Sequence, residues 1–447
     1  MGNPGDAFKS ALIAALVTFG LAFPIVALRT DTNLSNQLVL TQRWGLALAL
    51  AGVAFALRLA TALAFPNGLR ARETKAPRTE VPPHPYWRFV PRAGLALLVA
   101  YPFLAVMIAG NSGAVKWIDN FGIQILLYIL LGWGLNIIVG LAGLLDLGFV
   151  AFYAVGAYSS ALLSKTYGLS FWLTLPLAGI LASIWGILVA LPVLRLKGDY
   201  IAIVTLAFAE IVRLVLINWV PVTGGYAGVS SIPRPTIFGY SLSPGPDNIA
   251  TAIGLAPSPL YRLFFMFYLA LTLALAAYWV ATRLRVLPVG RAWEALREDE
   301  IACRSLGINT VTTKLTAFAA GAFFGGIAGA FFAGHHNFIS PRSFEFMESA
   351  VIVAIVVLGG LGSMMGVAIA AVAMIGGTEL LRELTFLKAV FGDAFDPTQY
   401  RMLLFGLAMV VLMVLNPKGL VATREPSVRL RPPATRGRPV DRLEPAE

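Results

Sequence analysis

The chain has 447 residues, of which 58% are hydrophobic and only 13% are charged, and its formal net charge is +11. Soluble proteins are about half apolar and a quarter charged, so this composition excludes a soluble globular protein and indicates a helical protein that crosses a membrane many times. The only cysteine, Cys303, excludes a disulfide framework. Since no soluble domain carries a basic face, nucleic acid is not an expected partner.

Apolar runs recur along the chain and predict transmembrane helices. Several are shorter than the roughly 20 residues that a bilayer requires. The pieces around 142–164 and 346–382 are candidates for broken or re-entrant helices, so we expect 10–12 spans. The fold class is therefore an all-α, polytopic transmembrane bundle with some short or broken helices. The candidate spans are 10–28, 44–65, 93–110, 121–141, 148–164, 172–192, 200–219, 260–281, 314–334, 346–360, 366–382 and 401–415.

Charge predicts the orientation of these spans. With both termini in the cytosol, the inner segments carry 22 of the 34 Lys and Arg residues and the outer loops carry 10. Cytosolic loops of membrane proteins are enriched in these residues, so we expect both termini to be cytosolic.

Polar segments divide the chain. We predict an N-terminal transmembrane extension at 1–115, which contains a basic, Pro-rich cytosolic linker at 66–92. A core follows at 116–420, with a long outer loop at 220–259, and a basic, disordered cytosolic tail occupies 421–447.

Two charges lie within one predicted span. Glu210 and Arg213 are three residues apart and therefore share a helix face. An isolated charge at the centre of a bilayer costs roughly 2.5–3.5 kcal/mol, so each should neutralise the other. A structural ion pair is the favoured interpretation, and a role in gating or in lining the transport path is the alternative.

Glycines interrupt apolar segments in both halves of the core. Broken helices expose backbone groups to polar substrates in many transporters. We place these glycines in a candidate path or gate, together with the outer turn after Pro221. The members of this candidate set are Asn136, Gly140, Gly143, Thr205, Glu210, Arg213, Gly224, Gly225, Gly359, Gly360 and Gly362.

A second glycine pattern concerns helix packing. Gly321, Gly325 and Gly329 form a tandem G-x-x-x-G, which allows close approach of another helix. The approaching helix belongs to this chain, or it belongs to a partner or is a moving helix.

Two histidines follow this glycine pattern. His335 and His336 diverge by about 100° on a helix, so we interpret them as polar residues of the outer mouth and expect no metal site.

The central loop 282–314 is polar and too charged to cross the membrane. Its sequence predicts a short amphipathic helix over 291–307, closed by Gly307. An interfacial helix is one interpretation. Four acidic residues disfavour contact with an anionic leaflet and favour docking into a cleft of another protein. The candidate coupling residues are Glu294, Ala295, Arg297, Asp299, Glu300, Ile301, Ala302, Leu306 and Gly307.

Enzyme classes find little support. The chain has no G-x-x-x-x-G-K-[ST], no H-E-x-x-H and no G-x-S-x-G, so it lacks the common nucleotide and hydrolase motifs. A carboxylate paired with arginine is also a poor proton carrier. An ion-coupled transporter or channel and a scaffold protein are the two remaining alternatives to a permease moved by a separate motor.

Six blocks of sequence carry a family resemblance, and they occur in the expected order. They are GLNIIVGLAGLLDLGFVAFYAVGAYSSALL, LKGDYIAIVTLAFAEIVRLVL, TGGYAG, GRAWEALREDEIACRSLGIN, FISPRSFEFMESAVIVAIVVLGGLGSMMG and NPKGL. These blocks resemble the permease subunits of branched-chain amino acid ABC importers. The chain is most similar to the longer of their two permeases, including its extra N-terminal module. Cys303 stands where that family usually has a small alanine.

This resemblance implies a complex in a bacterial inner membrane. It implies a second permease, two cytosolic ATP-binding subunits and an extracytoplasmic solute-binding protein. ATP and Mg²⁺ would be bound by the partner ATPases, with no cofactor in this chain. The implied substrates are branched-chain or similar small amino acids, and similar permeases carry urea, short amides or nucleosides.

Overall fold

The computed structural model describes residues 44–64, 90–194, 196, 198–237, 240–241 and 258–383, the strands 28–32 and 38–42, and single residues between 8 and 19 and between 406 and 420. The chain divides into two compact units, Met1–Arg92 and Ala93–Glu447. The predicted spans 10–28 and 401–415, the linker 66–92 and the tail 421–447 lie wholly or largely outside the described residues.

The first unit contains a strand pair that was not predicted. Strands β1 (Leu28–Thr32) and β2 (Leu38–Gln42) pair antiparallel, with Leu28 opposite Gln42. The first strand contains two threonines and the second contains a valine and a threonine, residue types that strands prefer. Helix α1 (Trp44–Ala64) follows and confirms a helix at the predicted position 44–65; that it crosses the membrane stays a prediction.

The second unit begins with a series of helices that includes one long interruption. Gly110, with a φ of 68°, kinks the first helix. Residues 142–149 are not helical and form a break between two helices. The elements are α2 (Val90–Lys116), a π-helical segment (Trp117–Ile123), α3 (Gln124–Leu135), a second π-helical segment (Asn136–Leu141), α4 (Val150–Tyr167), α5 (Phe171–Val193) and α6 (Asp199–Asn218).

The segment that was predicted to be an outer loop connects the two halves of this unit. It contains α7 (Val220–Thr223) and the two-residue strands β3 (Val229–Ser230), β4 (Thr236–Ile237) and β5 (Tyr240–Ser241). Strand β3 pairs with β6 (Phe338–Ile339) from the second half. This pairing joins the outer segment to the end of the helix that precedes β6.

The second half contains the long helices on either side of the central loop. These elements are α8 (Pro259–Val286), α9 (Pro288–Glu298), α10 (Glu300–Ser305), α11 (Thr310–His336), α12 (Phe346–Gly359), α13 (Met364–Ala371), a π-helical segment (Val372–Gly376) and α14 (Gly377–Glu383).

Five helices among the described residues are long and apolar enough to cross a membrane, which confirms a polytopic helical membrane protein. Shorter apolar helices occupy Ala96–Asn111, Phe346–Gly359 and Met364–Leu380. The total of 10–12 spans stays a prediction. The long helices are Gly113–Leu141, Phe171–Val193, Asp199–Asn218, Pro259–Val286 and Thr310–His336.

Small residues bring α11 close to its neighbours. A Cβ atom added at Gly156 of α4 would lie 2.3 Å from the carbonyl oxygen of Gly326, and one added at Gly326 would lie 2.5 Å from the Cβ of Ala182 on α5. Helices in lipid associate by such close packing, since burial of apolar surface gives no advantage over lipid tails. Helix α11 therefore forms the centre of the bundle, with α4 and α5 packed directly against it.

The structure confirms one predicted helix break and corrects one predicted helix. The prediction of a broken helix at 346–382 is confirmed, because Gly360 and Gly362 have φ values of 105° and 87° and separate α12 from α13. The prediction of one helix over 291–307 is wrong, because the structure has two helices, α9 and α10, that meet at Asp299.

Candidate functional site

The central loop 282–314, which we predicted to be a coupling loop, folds into α9 and α10. Asp299 explains why two helices form. Its carboxylate accepts hydrogen bonds from the backbone N–H groups of Ile301 (2.7 Å) and Ala302 (3.0 Å). Aspartate is among the preferred N-cap residues, since it satisfies amides that have no partner within the helix. The chain therefore turns at Asp299 and starts a new helix.

Helix α9 is fixed to the transmembrane bundle by buried aromatic and charged contacts. Trp293 is only 1% exposed, and its indole N–H donates to the hydroxyl of Thr316 on α11 at 3.1 Å. Arg285, at the end of α8, pairs with Glu294 at 2.7 Å. Helix α9 thus contacts both long helices that enter the loop, so a displacement of α9 has to move their ends.

Arg297 connects α9 to the interrupted helix in the first half. Its guanidinium donates a hydrogen bond to the carbonyl oxygen of Gly140, at the end of the second π-helical segment. A Cβ added at Gly143 would lie 2.7 Å from Cγ of Arg297, so a glycine is needed there for the arginine to pack. The arginine was predicted as a coupling residue and the glycines as path residues; the structure brings them into contact.

The same junction includes the glycine turn between α12 and α13. Asn136 is fully buried, and its Oδ1 accepts a hydrogen bond from the backbone N–H of Gly362 at 2.9 Å. A Cβ added at Gly140 would lie 2.0 Å from that Oδ1 and 2.6 Å from the nitrogen of Gly362. A Cβ added at Gly359 would lie 2.5 Å from the nitrogen of Val367. Both interrupted segments therefore meet beside Arg297.

Helix α10 is held by an ion pair that neutralises a buried lysine. Lys314 is 3% exposed, and its ammonium group lies 3.1 Å from both carboxylate oxygens of Glu300. Arg304 contacts the same carboxylate at 2.6 Å from the exposed side. Partial burial would raise the pKa of Glu300, but the hydrogen bonds and charges of Lys314 and Arg304 outweigh it and hold that pKa below its usual value.

Two large apolar side chains of the loop are exposed. Ile301 is 72% exposed and Leu306 is 80% exposed, whereas Cys303 on the other face of α10 is buried. Burial, with the nearby carboxylates of Asp299 and Glu300, raises the pKa of the Cys303 thiol. Gly307, two residues after the end of α10, has a φ of 81°, a backbone conformation that favours glycine after a helix.

Replacing Glu300 with glutamine should lower the free energy of unfolding by roughly 1.5–3 kcal/mol, because the buried Lys314 ammonium would lose its charged partner. Thermal unfolding of the purified chain in detergent measures this. Arg304→Gln is the matched control, since Arg304 is 59% exposed and surface pairs contribute about 0–1 kcal/mol. Equal losses in the two variants would contradict the structural role of the buried pair.

Hydroxyl groups from two other helices hold the break at 142–149. The hydroxyl of Thr205 on α6 accepts from the backbone N–H of Leu147 at 3.2 Å, and the hydroxyl of Ser349 on α12 donates to the carbonyl oxygen of Leu147 at 2.6 Å. The buried Asp146 accepts from the N–H of Gly148 at 2.8 Å. Thr205, a predicted path residue, therefore stabilises the break by the hydrogen bond that its hydroxyl group accepts from the backbone of Leu147.

Glu210 and Arg213 form a bidentate ion pair about a turn and a half beyond Thr205 on α6. The Nε of Arg213 lies 3.0 Å from both carboxylate oxygens, and a second guanidinium nitrogen lies 2.5 Å from one of them. The Glu210 side chain is 44% exposed within this chain. Since a charge pair at that depth is costly in contact with lipid, this face of α6 requires protein or water beside it.

The glycines that follow α6 form a tight turn. Gly224 and Gly225 have φ values of 71° and 58°, and the hydroxyl of Thr223 donates to the carbonyl of Leu216 at 2.6 Å. A Cβ added at Gly228 would lie 2.1 Å from the carbonyl oxygen of Ile339. The turn is thereby packed against β6 at the end of α11.

The packing glycines of α11 face elements of this same chain. A Cβ added at Gly321 would lie 2.5 Å from Cγ1 of Ile138, and one added at Gly329 would lie 2.2 Å from the carbonyl oxygen of Tyr153. The stripe is therefore occupied by the second π-helical segment and by α4.

A cavity of about 340 Å³ lies at the end of α11 opposite the coupling loop. Within it, Nε2 of His335 lies 2.7 Å from Asp119, and the hydroxyl of Tyr128 donates to Glu348 at 2.5 Å. Among the described residues, no group of three His, Cys, Asp or Glu side chains is arranged to hold a metal ion. The polar lining consists of Asp119, Asn120, Gln124, Tyr128, Tyr153, His335, His336, Ser343 and Glu348, and the apolar lining of Ile123, Leu127, Leu131, Phe332 and Ile352.

Sequence reasoning placed the two histidines at the outer mouth but missed Asp119, Tyr128 and Glu348 as neighbours. Glu348 lies in the otherwise apolar run FMESAVIVAIVV, where an ionisable residue is itself an indication of function. Glu348 could therefore have been identified from the sequence. Its contact with Tyr128, which lies 220 residues away, could not, because no local sequence pattern indicates it.

Models of known protein families match most of the chain. The family model described as "Branched-chain amino acid transport system / permease component" matches residues 117–413. A second model, for a domain of unknown function (DUF3382), matches residues 6–101. No solved structure matches the chain significantly.

Curated relatives carry the same description. The chain is 46% identical over 348 residues, 77% of each protein, to the high-affinity branched-chain amino acid transport system permease protein LivM of Escherichia coli (strain K12). It is 45% identical, with the same coverage, to the protein of that name from Salmonella typhimurium. A probable branched-chain amino acid transport permease of Methanocaldococcus jannaschii is 28% identical over 56% of this chain and 67% of its own length. The chain therefore belongs to the permease-component family of branched-chain amino acid transport systems.

Proposed function

We propose that this chain forms one side of the translocation path of an ATP-driven importer for branched-chain or similar small amino acids. Its partners are a second permease, two cytosolic ATP-binding subunits and an extracytoplasmic solute-binding protein in a bacterial inner membrane. ATP and Mg²⁺ are bound by the partner ATPases, and this chain performs no catalysis. Both termini are cytosolic, which places the coupling loop on the side of the ATPases.

The observation that carries this proposal is the contact of Arg297 with Gly140. It joins a loop that is suited to docking with the two interrupted segments of the bundle. A pull on α9 acts on Gly140 through the guanidinium and on α8 and α11 through Glu294 and Trp293. Movement of a docked ATPase is thereby passed to the backbone at the two helix breaks.

The exposed apolar face of the coupling loop supports a protein partner. Ile301 and Leu306 project from the loop with more than two thirds of their surface exposed, and exposed acidic residues lie close by in sequence. An apolar centre with a charged rim is typical of protein interfaces. The Glu210–Arg213 face of α6 supports a second permease or a hydrated path at that surface.

The docking surface can be tested by replacing Ile301 and Leu306 together with serine. We expect the amount of ATPase subunit that copurifies with the chain, and ATP-dependent uptake of L-leucine in proteoliposomes, to fall at least about tenfold, because two buried aliphatic contacts are lost. Folding of the chain should be unaffected, since both side chains point away from it.

Tyr167→Ser is the matched control, because Tyr167 is 74% exposed at the opposite end of the bundle. Uptake by the double variant at the level of this control would contradict docking through the loop. Uptake by the purified chain alone, driven by an ion gradient, would contradict the ATP-driven importer as a whole.

A further inference from the structure

The cavity at the end of α11 lies between the two halves of the second unit. Asp119 and Tyr128 belong to the first half, whereas His335 and Glu348 belong to the second. Helix α11 has 27 residues and is therefore about 40 Å long, so the cavity and the coupling loop lie at opposite ends of the bundle. In many transporters the substrate binds where two halves of the fold meet.

Glu348 is the distinctive polar group of this cavity. Its carboxylate accepts a hydrogen bond from the hydroxyl of Tyr128, and among the described residues it takes part in no ion pair, in contrast to Asp119, which has His335. It lies in the first turn of α12, where the helix dipole stabilises a negative charge. A half-buried carboxylate with only a neutral donor gains from a cationic ligand, since charge-assisted hydrogen bonds are about twice as strong as neutral ones.

Part of the cavity wall is aliphatic. Ile123, Leu127 and Leu131 are spaced four residues apart and form one stripe, and Ile352 adds to it from α12, one turn beyond Glu348. A volume of about 340 Å³ lies at the lower end of the range of about 300–1,000 Å³ for small-molecule sites. The cavity therefore fits a small ligand with one apolar end.

Amide and imidazole groups complete the site. Asn120, Gln124 and His336 line the cavity and carry hydrogen-bond donors that suit a carboxylate.

We propose that this cavity is a binding site for a zwitterionic aliphatic amino acid, with Glu348 as the acceptor for its α-ammonium group. The aliphatic side chain lies against the stripe from Ile123 to Leu131, and the α-carboxylate faces the amide and imidazole donors. The inference rests on the proposed function and specifies its substrate. It disfavours urea and short amides, which have neither the cation nor the aliphatic group.

The test is equilibrium binding of radiolabelled L-leucine to the whole complex in nanodiscs, without the solute-binding protein. We expect Glu348→Gln to weaken binding at least about tenfold, since a hydrogen-bonded charge pair is lost. Tyr128→Phe should weaken it by a smaller factor, because the carboxylate loses the hydroxyl that positions it. The matched control is Glu345→Gln, an exposed residue three positions earlier that does not line the cavity.

A competitor that lacks the ammonium group tests whether binding depends on that group. An excess of 4-methylpentanoate, which keeps the carboxylate and the branched chain, should fail to displace L-leucine from the wild-type complex. Displacement as effective as that by unlabelled leucine would overturn the assignment of Glu348.

Other results would also overturn the inference. The inference is overturned if Glu348→Gln binds leucine as tightly as the control variant does. It is also overturned if the wild-type complex binds no leucine. If Glu348→Gln fails to assemble, an unchanged affinity in Tyr128→Phe overturns it. ATP-dependent uptake with the solute-binding protein present tests the proposed function separately. Glu348-dependent binding without uptake rejects the importer and keeps the site.

Discussion

Replacing Arg297 with methionine should reduce ATP-dependent uptake about 10- to 100-fold while the ATPase subunits remain bound. The methionine keeps the apolar stem that packs on Gly143 but cannot donate to the carbonyl oxygen of Gly140. Coupling free energies between distant sites are typically about 1–3 kcal/mol, which corresponds to this range. The variant is therefore expected to hydrolyse ATP while moving much less substrate.

The measurement is the ratio of leucine uptake to ATP hydrolysis in proteoliposomes. Arg291→Met is the matched control, because it makes the same change at an exposed position of the same helix α9. A normal ratio in Arg297→Met would show that motion reaches the bundle by another route. Loss of the ATPase subunits from the variant would also contradict the prediction, since Arg297 faces the bundle at Gly140.

Replacing Gly329 with alanine should lower the free energy of unfolding by about 1–3 kcal/mol, as overpacking of a buried site does. The added Cβ would lie 2.2 Å from the carbonyl oxygen of Tyr153 and 2.6 Å from the nitrogen of Ala157, and both are backbone atoms of α4. The two helices would have to separate, and α11 is the central helix of the bundle. Thermal unfolding in detergent and the yield of monodisperse protein measure this.

Gly325→Ala provides the matched control for Gly329→Ala. Its added Cβ would meet the Cβ of Phe152 at 3.2 Å and the ring of Phe149 at 3.3 Å, and these contacts can relax by a few tenths of an ångström. We expect the unfolding temperature to fall clearly in Gly329→Ala and only slightly in Gly325→Ala. The reverse order would mean that α4 and α11 do not pack as described.

Much of this molecule could be predicted from local sequence. Long apolar runs predict the membrane helices, because a bilayer demands a fixed length of apolar residues. The loop around Trp293 is recognisable because its charges interrupt such runs. Its division into two helices was missed, although the preference of aspartate for the N-cap makes Asp299 a recognisable start.

The sites could be predicted only in part, because their geometry depends on contacts between distant residues. Arg297 and Gly140 are 157 residues apart, and each was selected for a separate reason before the fold joined them. In the sequence, Tyr128 is an ordinary aromatic residue of an apolar helix, and only the fold shows that it contacts Glu348. A single sequence contains no pattern that reports such pairs.

The break at 142–149 has a consequence for how the bundle changes shape. Thr205 and Ser349, which hold Leu147, belong to α6 and α12, and each uses a hydroxyl group that rotates about one bond and both donates and accepts. Any separation of these two helices would admit water, which also donates and accepts and can take the place of each hydroxyl at the backbone of Leu147. The barrier to rearrangement then arises from separating packed side chains and not from stripping polar atoms of their bonds.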